Sequence, residues 1–231
     1  MRVPVFQSDH GPCPYLSNRS WITYTFASAE VDPSLYETLL ERGWRRSGPG
    51  YYQNHCPSCN LCIPIRVPVE RFTATKSQRR VLRINSDVHI DSMWTCMNDE
   101  AYELYCRYVR ERHSPQNVPT RKEYMCFLGS SPGETLLMRY RIGRRLVGAG
   151  WVDVLPDGLS SVYFAFDPVE SRRSLGTYSI MKEIELARSG GRQWLYLGFY
   201  VPGSRKMAYK ASFRPHQLVI DGHWVESPDA P

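Results

Sequence analysis

The strongest constraint on the fold lies in the second half of the sequence, where three strand-like segments follow one another closely. Residues 135–142, 145–154 and 160–166 are rich in β-branched and aromatic side chains, the residue types that favour strands. Gly143-Arg144 separates the first two segments and Pro156-Asp157-Gly158 the last two, and both are turn signals. This spacing predicts a three-stranded antiparallel meander.

A helix and further strands are predicted after the meander. Residues 174–189 carry apolar side chains on one side and end at Gly190-Gly191, a pattern typical of a helix and its stop. Residues 192–200 resemble a buried strand, and residues 217–220 a last one. This order predicts the α+β class with a mixed sheet. Additional helices are expected at 34–42, 98–112 and 120–129.

The first part of the chain differs from the rest because it is rich in cysteine and proline, up to a boundary between about residues 86 and 97. We therefore expect a smaller N-terminal domain, residues 1–90, and a C-terminal domain, residues 91–231. The seven cysteines are an odd number, which favours reduced thiols or a metal site over a disulfide scaffold. No run of 18 apolar residues and no signal-peptide pattern occurs, so we expect a soluble cytoplasmic protein with no membrane partner.

Three of the cysteines stand at two-residue gaps in Cys56-Pro-Ser-Cys59-Asn-Leu-Cys62. This spacing brings sulfurs together around one turn, and Cys13 or His55 would complete a tetrahedral zinc site. The same run resembles the local part of an iron–sulfur cluster site. The alternative is three reduced thiols in a tight turn. The predicted ligands are Cys13, Cys56, Cys59 and Cys62.

The positive charge of the chain is concentrated in one stretch. Lys plus Arg number 29 and Asp plus Glu 23, which gives a net charge of +6. Between residues 66 and 83, Glu70 is the single acid among six cations. Such a density favours an anionic partner, most commonly nucleic-acid phosphate, although a solvated face is the alternative. The predicted contacts are Arg66, Lys76, Arg79, Arg80 and Arg83, with Ser77 and Gln78 as neutral donors.

Several segments together resemble the bacterial aminoacyl-tRNA–protein transferases, in particular the aspartate/glutamate leucyltransferases. The most specific are Lys76-Ser-Gln-Arg-Arg80 and Lys206-Met-Ala-Tyr-Lys210. The resemblance implies an enzyme that moves leucine from leucyl-tRNA to proteins beginning with Asp or Glu, which marks them for degradation by the N-end rule pathway. The other matching segments are residues 13–16, 43–48, 55–67, 72–83, 163–168, 174–178 and 195–200, with Phe213.

The fold that this resemblance implies for the second half is acyltransferase-like, of the N-acetyltransferase type. Those enzymes hold the coenzyme A pyrophosphate on a glycine-rich loop before a helix, where backbone N–H groups approach the phosphates. Arg173 and Gly176 match that loop, and Arg173 is predicted as a substrate-binding residue, but Tyr178 stands where a small residue is required. We therefore expect an aminoacyl ester as donor and no coenzyme A.

The chemistry implied by the resemblance needs no cofactor, because aminoacyl-tRNA is already an activated ester. Direct attack by an α-amino group requires alignment and donors for the developing oxyanion. We expect backbone N–H groups near Gly176 or Gly198 to supply that contact. Lys206, Tyr209 and Lys210 are expected beside the ester and the terminal adenosine, with the lysines facing phosphate or the leaving oxygen.

An acceptor that begins with Asp or Glu requires a fixed cation for its carboxylate, and the guanidinium fork suits that task. Arg79 and Arg80 are the first candidates and Arg66 is the second. The leucine side chain requires an apolar pocket, for which the candidates are Tyr163, Phe164, Trp194 and Tyr196. An acid in that pocket, Asp153 or Asp167, would favour arginine as the transferred residue.

Three other functions remain open at this stage. An arginyl-tRNA–protein transferase differs from the leading hypothesis only in its donor. A zinc-containing nucleic-acid-binding module would use the cysteines and the basic stretch without catalysis, but it would have no use for an acyltransferase-like second half. An ordinary N-acetyltransferase is disfavoured by Tyr178.

Overall fold

Two β-sheets form the frame of the protein in the computed structural model, which describes residues 3–112, 118–131 and 133–227. The smaller sheet has four antiparallel strands in the order β1-β2-β4-β3 and lies wholly in the first part of the chain. Its strands, which sequence patterns did not predict, are β1 Phe6–Pro12, β2 Ser20–Ala27, β3 Arg45–Ser47 and β4 Gly50–Asn54.

The larger sheet has eight strands: β5 Ile63–Pro68, β6 Val88–Trp94, β7 Thr135–Ile142, β8 Arg145–Val154, β9 Gly158–Phe166, β10 Trp194–Tyr200, β11 Gln217–Ile220 and β12 His223–Glu226. Their order is β12-β11-β5-β10-β9-β8-β7-β6. Strands β7, β8 and β9 form the predicted antiparallel meander. Strand β10 runs parallel to β9 and antiparallel to β5, so the predicted mixed sheet and α+β class are confirmed.

Within the described residues, six α-helices accompany the two sheets. They are α1 Pro33–Glu41, α2 Lys76–Ile84, α3 Asp99–Arg112, α4 Arg121–Tyr124, α5 Leu175–Ser189 and α6 Arg205–Ala208. Successive residues of a strand point to opposite faces, and Leu137 packs with Leu104 of α3 whereas Met138 packs with Ile184 of α5. The sheet is therefore buried between α3 on one side and α5 on the other.

The larger sheet draws strands from both sides of the predicted domain boundary at residue 90. Strand β5, from the first part of the chain, pairs with β10 and with β11. Strand β6 forms the opposite edge through its pairing with β7. The division into domains 1–90 and 91–231 stays a prediction, but this sheet is built jointly by the two segments.

A buried ion pair connects the two sheets. Arg46 of β3 donates from Nε and Nη2 to the two carboxylate oxygens of Asp153 on β8, at 2.8 and 2.9 Å. Thr135 Oγ1 donates to the same carboxylate at 2.6 Å. Arg46 Nη1 also donates to carbonyl oxygens, including that of Gly48 at 3.2 Å. Since Arg46 is 5% exposed and Asp153 is 1% exposed, this pair fixes β3 against the larger sheet.

Replacement of Arg46 by Met is expected to destabilise the protein by about 3–5 kcal/mol, because it leaves the Asp153 carboxylate buried without its cation. Urea-induced unfolding measures this loss. The double variant Arg46→Met/Asp153→Leu should recover much of it. The matched control is Arg71→Met, which removes an exposed ion pair with Glu226 and should change the free energy of unfolding little. Equal losses in the two single variants would contradict the prediction.

Candidate active site

The parallel strands β9 and β10 separate in the middle of the larger sheet. Their paired residues end at Ser160 and Tyr196. Beyond this point β9 continues to Phe166 and β10 to Tyr200, and the structure shows no pairing between these two segments. Strand β10 also carries an irregularity against β5 between Tyr196 and Gly198, and Gly198 has φ +83°. The separation leaves strand carbonyl groups that other parts of the chain must satisfy.

Two cationic side chains occupy this opening. Arg45 of β3 donates from Nη2 to the carbonyl oxygen of Ser161, the first residue of β9 beyond the paired segment, at 2.8 Å. Lys210 donates from Nζ to the carbonyl oxygen of Phe199 at 3.2 Å. A Cβ placed on Gly198 would lie 3.5 Å from both Arg45 Nη2 and Lys210 Nζ. Both cations therefore approach the same point of β10, at Gly198.

A buried carboxyl group faces the same opening from α5. Glu183 is completely buried, and its Oε1 lies 3.9 Å from the position that a Cβ on Gly150 would take. Burial raises the pKa of Glu183 to about 8, while the Ser161 side chain and the charge of Lys210 oppose that rise. Desolvation is the dominant cause, since it penalises the charged form. The carboxyl group is therefore largely protonated at neutral pH.

Lys210 titrates in the physiological range for a related reason. Burial and, second, the charge of Arg45 lower its pKa to about 7, and Glu183 acts in the opposite direction. An amine with a pKa near the working pH can both accept and return a proton, which is the requirement for general acid–base catalysis. Lys210 and Glu183 together make the opening between β9 and β10 a candidate catalytic site.

The turn that carries Lys210 is anchored to the basic stretch. Residues Tyr209–Ser212 form this turn, and Tyr209 is 41% exposed at its surface. Gln78 of α2 donates from Nε2 to the carbonyl oxygen of Ser212 at 3.1 Å. Gln78 also forms a capping box with Thr75 at the start of α2. Gln78, predicted as a phosphate contact, is thus buried and connects α2 to the turn that carries Lys210.

Helix α2 presents the rest of the basic stretch to solvent. Its cations form no ion pair with any residue in the described part of the chain, and Arg79 donates to the carbonyl oxygen of Ala74. Ser77 is also exposed, with its Oγ 3.0 Å from Thr75 Oγ1. Since α2 is held against the turn that carries Lys210, this surface lies beside the site. We call it the basic face; it consists of Lys76, Arg79, Arg80 and Arg83.

The structure places Arg66 away from solvent. Its guanidinium lies 3.6 Å from the ring centroid of Trp194 and 4.3 Å from that of Trp224. Its Nε donates to Gln217 Oε1 at 2.9 Å. Arg66 therefore packs within an aromatic cage, and its role in substrate binding stays a prediction.

Arg173 is held by several partners near the start of α5. It donates to Asp87 and Glu170 at 2.8 and 2.7 Å and to the carbonyl oxygen of Ile84 at 3.0 Å. These contacts connect the segment before α5 to the end of α2. Its role in substrate binding stays a prediction.

Gly176 and Lys206 are not among the groups that meet at Gly198. Gly176 lies in the first turn of α5, seven residues before Glu183, which is about 10 Å along the helix axis. Lys206 is exposed on α6. The catalytic roles predicted for these two residues stay predictions, whereas Lys210 lies directly in the opening.

The predicted effect of Tyr178 on a coenzyme A loop is wrong. Because α5 begins at Leu175, Tyr178 lies one turn inside the helix and faces the sheet. Its side chain is buried in the same core as Tyr140, with 6.1 Å between the ring centroids. Tyr178 therefore does not obstruct the loop before α5.

The four aromatic residues predicted to line a leucine pocket do not lie together. Tyr163 packs under α3, Phe164 packs on the α5 side of the sheet, and Trp194 and Tyr196 lie with Arg66. Of the four, Phe164 is the one near the opening. A Cβ on Gly150 would lie 3.4 Å from Phe164 and 3.7 Å from Tyr140, as well as near Glu183.

The two acids considered for an arginine donor are both engaged elsewhere. Asp153 holds Arg46, as described above. Asp167 pairs with Arg145 at 3.1 Å and accepts from the backbone N–H of Val169 at 3.2 Å. In this arrangement, neither carboxylate is available to bind the side chain of an amino acid carried by tRNA.

The predicted cysteine ligands approach one another. Burial, followed by interaction with Cys56, Cys13 and Cys59, raises the pKa of the Cys62 thiol to about 12. Cys56 and Cys59 form an isolated β-bridge. However, no group of three or more His, Cys, Asp or Glu side chains has a metal-holding arrangement within residues 3–112, 118–131 and 133–227. The side chains as placed do not form a metal site, and the metal stays a prediction from spacing.

Two residues of the site were not found from sequence. Glu183 interrupts the apolar side of α5, three residues after Ile180. An acid on a helix face that is expected to be buried indicates a candidate functional residue, so the sequence did contain a signal for it. Arg45 precedes Arg46 in Gly43-Trp-Arg-Arg-Ser-Gly48, but nothing in that pattern indicates that β3 reaches the larger sheet.

The chain has an antiparallel meander, then a helix, then a parallel strand that diverges from the meander. A titratable amine and a carboxyl group lie in the opening. This arrangement defines an acyltransferase-like protein. Family models give the particular group. The model described as "Arginine-tRNA-protein transferase, N terminus" matches residues 11–80, and "Arginine-tRNA-protein transferase, C terminus" matches residues 100–220. The chain belongs to the arginine-tRNA–protein transferase family.

Curated relatives align over nearly the full chain. The aspartate/glutamate leucyltransferase of Saccharophagus degradans is 39% identical over 96% of this chain and 96% of its own length. The protein of the same name from Aeromonas hydrophila is 40% identical over 92% and 90%, respectively. Among solved structures, FemX aligns with 6% identity and a TM-score of 0.47 over 88% of this chain and 81% of its own.

Within the parts of the chain that the structure describes, no helix has both the length and the apolar character needed to cross a membrane.

Replacement of Glu183 by Gln is expected to change how stability depends on pH. The pKa of Glu183 is raised on folding, so the folded state binds more protons than the unfolded state between the two pKa values. Wild-type stability should therefore fall as the pH rises from about 5 to about 7, by up to about 1.4 kcal/mol per pH unit. Glu183→Gln should lack this contribution, because glutamine stays neutral.

Urea-induced unfolding at several pH values in this range measures the difference. The matched control is Glu185→Gln, which changes an exposed carboxylate of the same helix that pairs with Lys182. The range ends near pH 7 because Lys210, whose pKa is lowered, contributes with the opposite sign above it. Parallel pH profiles for wild type and Glu183→Gln would contradict the prediction.

Proposed function

We propose that the protein transfers leucine from leucyl-tRNA to the α-amino group of proteins whose N-terminal residue is Asp or Glu. Family membership and the printed name of the relatives support the reaction class. The observation that carries the proposal is the opening between β9 and β10, where Lys210 and Glu183 meet beside the basic face of α2. A proton-transfer group thus lies next to a surface suited to tRNA.

The reaction is aminolysis of an ester. The acceptor nitrogen forms a bond to the leucyl carbonyl carbon, the carbon–oxygen bond to the terminal ribose breaks, and one proton passes from the nitrogen to the ribose oxygen. An α-amino group has a pKa of about 7.7–8.0, so part of it is neutral and nucleophilic at cytoplasmic pH. Alignment and proton transfer are then sufficient, and neither a covalent intermediate nor a cofactor is required.

We assign the proton transfer to Lys210. With its pKa lowered to about 7, its neutral form accepts the proton of the attacking amine and its charged form delivers a proton to the leaving ribose oxygen. Glu183 adjusts this balance through its interaction with Lys210. The backbone around Gly198 is the nearest candidate for oxyanion contact, while Tyr209 and Lys206 lie on the exposed side, where the terminal nucleotide would enter.

Leucine fits the buried side of the opening better than arginine does. Phe164 and Tyr140 are the apolar groups near Gly150, and burial keeps Glu183 largely protonated there. Asp153 and Asp167 are paired with Arg46 and Arg145. A guanidinium would therefore find no charged partner among these groups, whereas a leucine side chain needs only apolar contact.

The wider role follows from the substrates. Aminoacyl-tRNA is a cytoplasmic substrate, so we place the reaction in the cytoplasm, where the new N-terminal leucine marks the acceptor for degradation through the N-end rule pathway. No step of this reaction passes through the cysteine cluster. The structural zinc or iron–sulfur cluster predicted from its spacing would serve the N-terminal part of the fold.

The direct test is transfer of radiolabelled amino acid to peptides that begin with Asp, Glu or Ala. We expect label to pass from leucyl-tRNA to the Asp and Glu peptides, and to the Ala peptide far less. The variant Lys210→Met should lower the transfer rate by about 10²–10⁴-fold, the usual contribution of a general acid–base group. Label passing only from arginyl-tRNA would replace leucine by arginine, and no transfer from either donor would reject the proposal.

The basic face of α2 is expected to bind tRNA phosphate. Replacing Lys76, Arg79, Arg80 and Arg83 by Gln should weaken leucyl-tRNA binding and make it less sensitive to salt. The slope of log K against log salt should become shallower by about 0.7–0.9 for each phosphate that the variant no longer neutralises. Arg71→Gln is the control, because the charge of Arg71 is already paired with Glu226. An unchanged slope in the fourfold variant would exclude phosphate binding by this surface.

A further inference from the structure

Arg45 is a buried cation without an ionic partner. It comes from β3 of the smaller sheet, yet its guanidinium lies in the opening of the larger sheet and is 8% exposed as a residue. Nη2 donates to the Ser161 carbonyl oxygen at 2.8 Å. Across the described ranges, no carboxylate forms an ion pair with Arg45, and its Nε and Nη1 donate to no acceptor.

The neighbouring residue, Arg46, is a buried arginine with a structural role, and its contacts differ from those of Arg45. Arg46 has both oxygens of Asp153 and several carbonyl groups as acceptors. A buried guanidinium costs free energy unless an anion and hydrogen-bond acceptors compensate for it. Arg46 has that compensation within the chain. Arg45 has one carbonyl acceptor but no anion among the described residues, which is the arrangement expected where a substrate supplies the anion.

A second cation reinforces this requirement at the same point. Arg45 Nη2 and Lys210 Nζ both approach Gly198, each 3.5 Å from the position of a Cβ there. The carboxyl group of Glu183 interacts with Lys210, but within the described residues it forms no ion pair with Arg45. A guanidinium with unused donors, beside an amine that is charged in part of the molecules at neutral pH, is suited to bind a small anion.

The proposed reaction brings two kinds of anion to the protein, and their sizes favour one of them here. The phosphates of the tRNA belong to a bulky polymer and have the exposed basic face of α2 available to them. The leucyl ester itself carries no anion. The side chain of an N-terminal Asp or Glu is a single small carboxylate attached to the residue whose α-nitrogen attacks, so it suits the guanidinium of a residue that is only 8% exposed and lies near Lys210.

We propose that Arg45 is the specificity-determining residue that binds the side-chain carboxylate of the acceptor's N-terminal Asp or Glu. This inference rests on the proposed function. It assigns carboxylate recognition to a residue inside the opening. Arg79 and Arg80, predicted for this role from sequence, lie on the exposed face of α2, and Arg66 is enclosed by Trp194 and Trp224.

The test measures the ratio of kcat/KM between an Asp-starting peptide and the matched Asn-starting peptide, with saturating leucyl-tRNA, and the same for Glu and Gln. Asp and Asn, like Glu and Gln, differ in charge but hardly in shape. A variant that only weakens tRNA binding or slows the chemistry lowers kcat/KM equally for both peptides, so the ratio does not change. In wild type we expect a strong preference for the acids. In Arg45→Gln we expect the preference to fall by about ten- to a hundredfold, the usual effect of a hydrogen bond to a charged group.

Three controls keep the result interpretable. Arg45→Lys keeps the positive charge and should retain an intermediate preference for the acids. This variant also provides the test if Arg45→Gln fails to fold. Arg80→Gln, on the basic face, should weaken leucyl-tRNA binding but leave the acid-to-amide ratio unchanged. Binding of the Asp peptide to protein without tRNA, measured by calorimetry, should weaken in Arg45→Gln by the same factor as the ratio. Near-ultraviolet circular dichroism reports the fold of each variant.

The outcomes separate this inference from the proposed function. Leucine transfer by wild type, combined with a reduced acid-to-amide ratio in Arg45→Gln, supports the role of Arg45. Unchanged ratios in Arg45→Gln and Arg45→Lys overturn it, even if total activity falls. An increase in KM for leucyl-tRNA with unchanged ratios also overturns it, by assigning Arg45 to tRNA. Failure of wild type to transfer leucine rejects the proposed function itself.

Discussion

The ion pair between Arg46 and Asp153 is the interaction on which the arrangement of the site depends. Adjacent residues of a strand point in opposite directions. Once Arg46 is fixed to β8, its neighbour Arg45 is directed to the other side, where it reaches Ser161 of β9. A short strand of three residues thereby places one arginine in the core and the other in the opening. The ion pair thus contributes to the position of Arg45, the proposed recognition residue, as well as to stability.

The separation of β9 and β10 explains why charged groups are concentrated in the middle of an otherwise apolar sheet. Where two strands part, their carbonyl groups lose strand partners, and the free energy of leaving them unsatisfied is high. Arg45 and Lys210 donate to two of these carbonyls. The same desolvation that makes these donors valuable shifts the titration of Lys210 and Glu183 toward neutral pH. The hydrogen bonds to these carbonyl groups and the shifted pKa values of Lys210 and Glu183 therefore have one structural origin.

Sequence patterns predicted the parts of this fold that depend on local periodicity. The meander, α5 and the strand after it have clear alternation or clear turns, and Lys210 came from a specific motif. Helix α2 was missed because its charged residues leave only Val81 and Leu82 as apolar contacts with the core, although Thr75 and Gln78 form its capping box. Arg45 could not be found in this way, since its position depends on contact between β3 and a strand more than 100 residues later.

The proposed site is distributed over both parts of the chain, with the proton-transfer groups in one part and the recognition groups in the other. The amine, the buried carboxyl group and the diverging strands come from residues after 150, and in the proposed reaction they serve the proton transfer to the leaving ribose oxygen. The cations that we propose bind the acidic acceptor and the tRNA come from β3 and α2, before residue 90. Gln78 joins these two contributions, because it holds the basic helix against the turn that carries Lys210. If these roles hold, substitutions in the first part of the chain should change the substrate preference while the acyl-transfer geometry of the second part is retained.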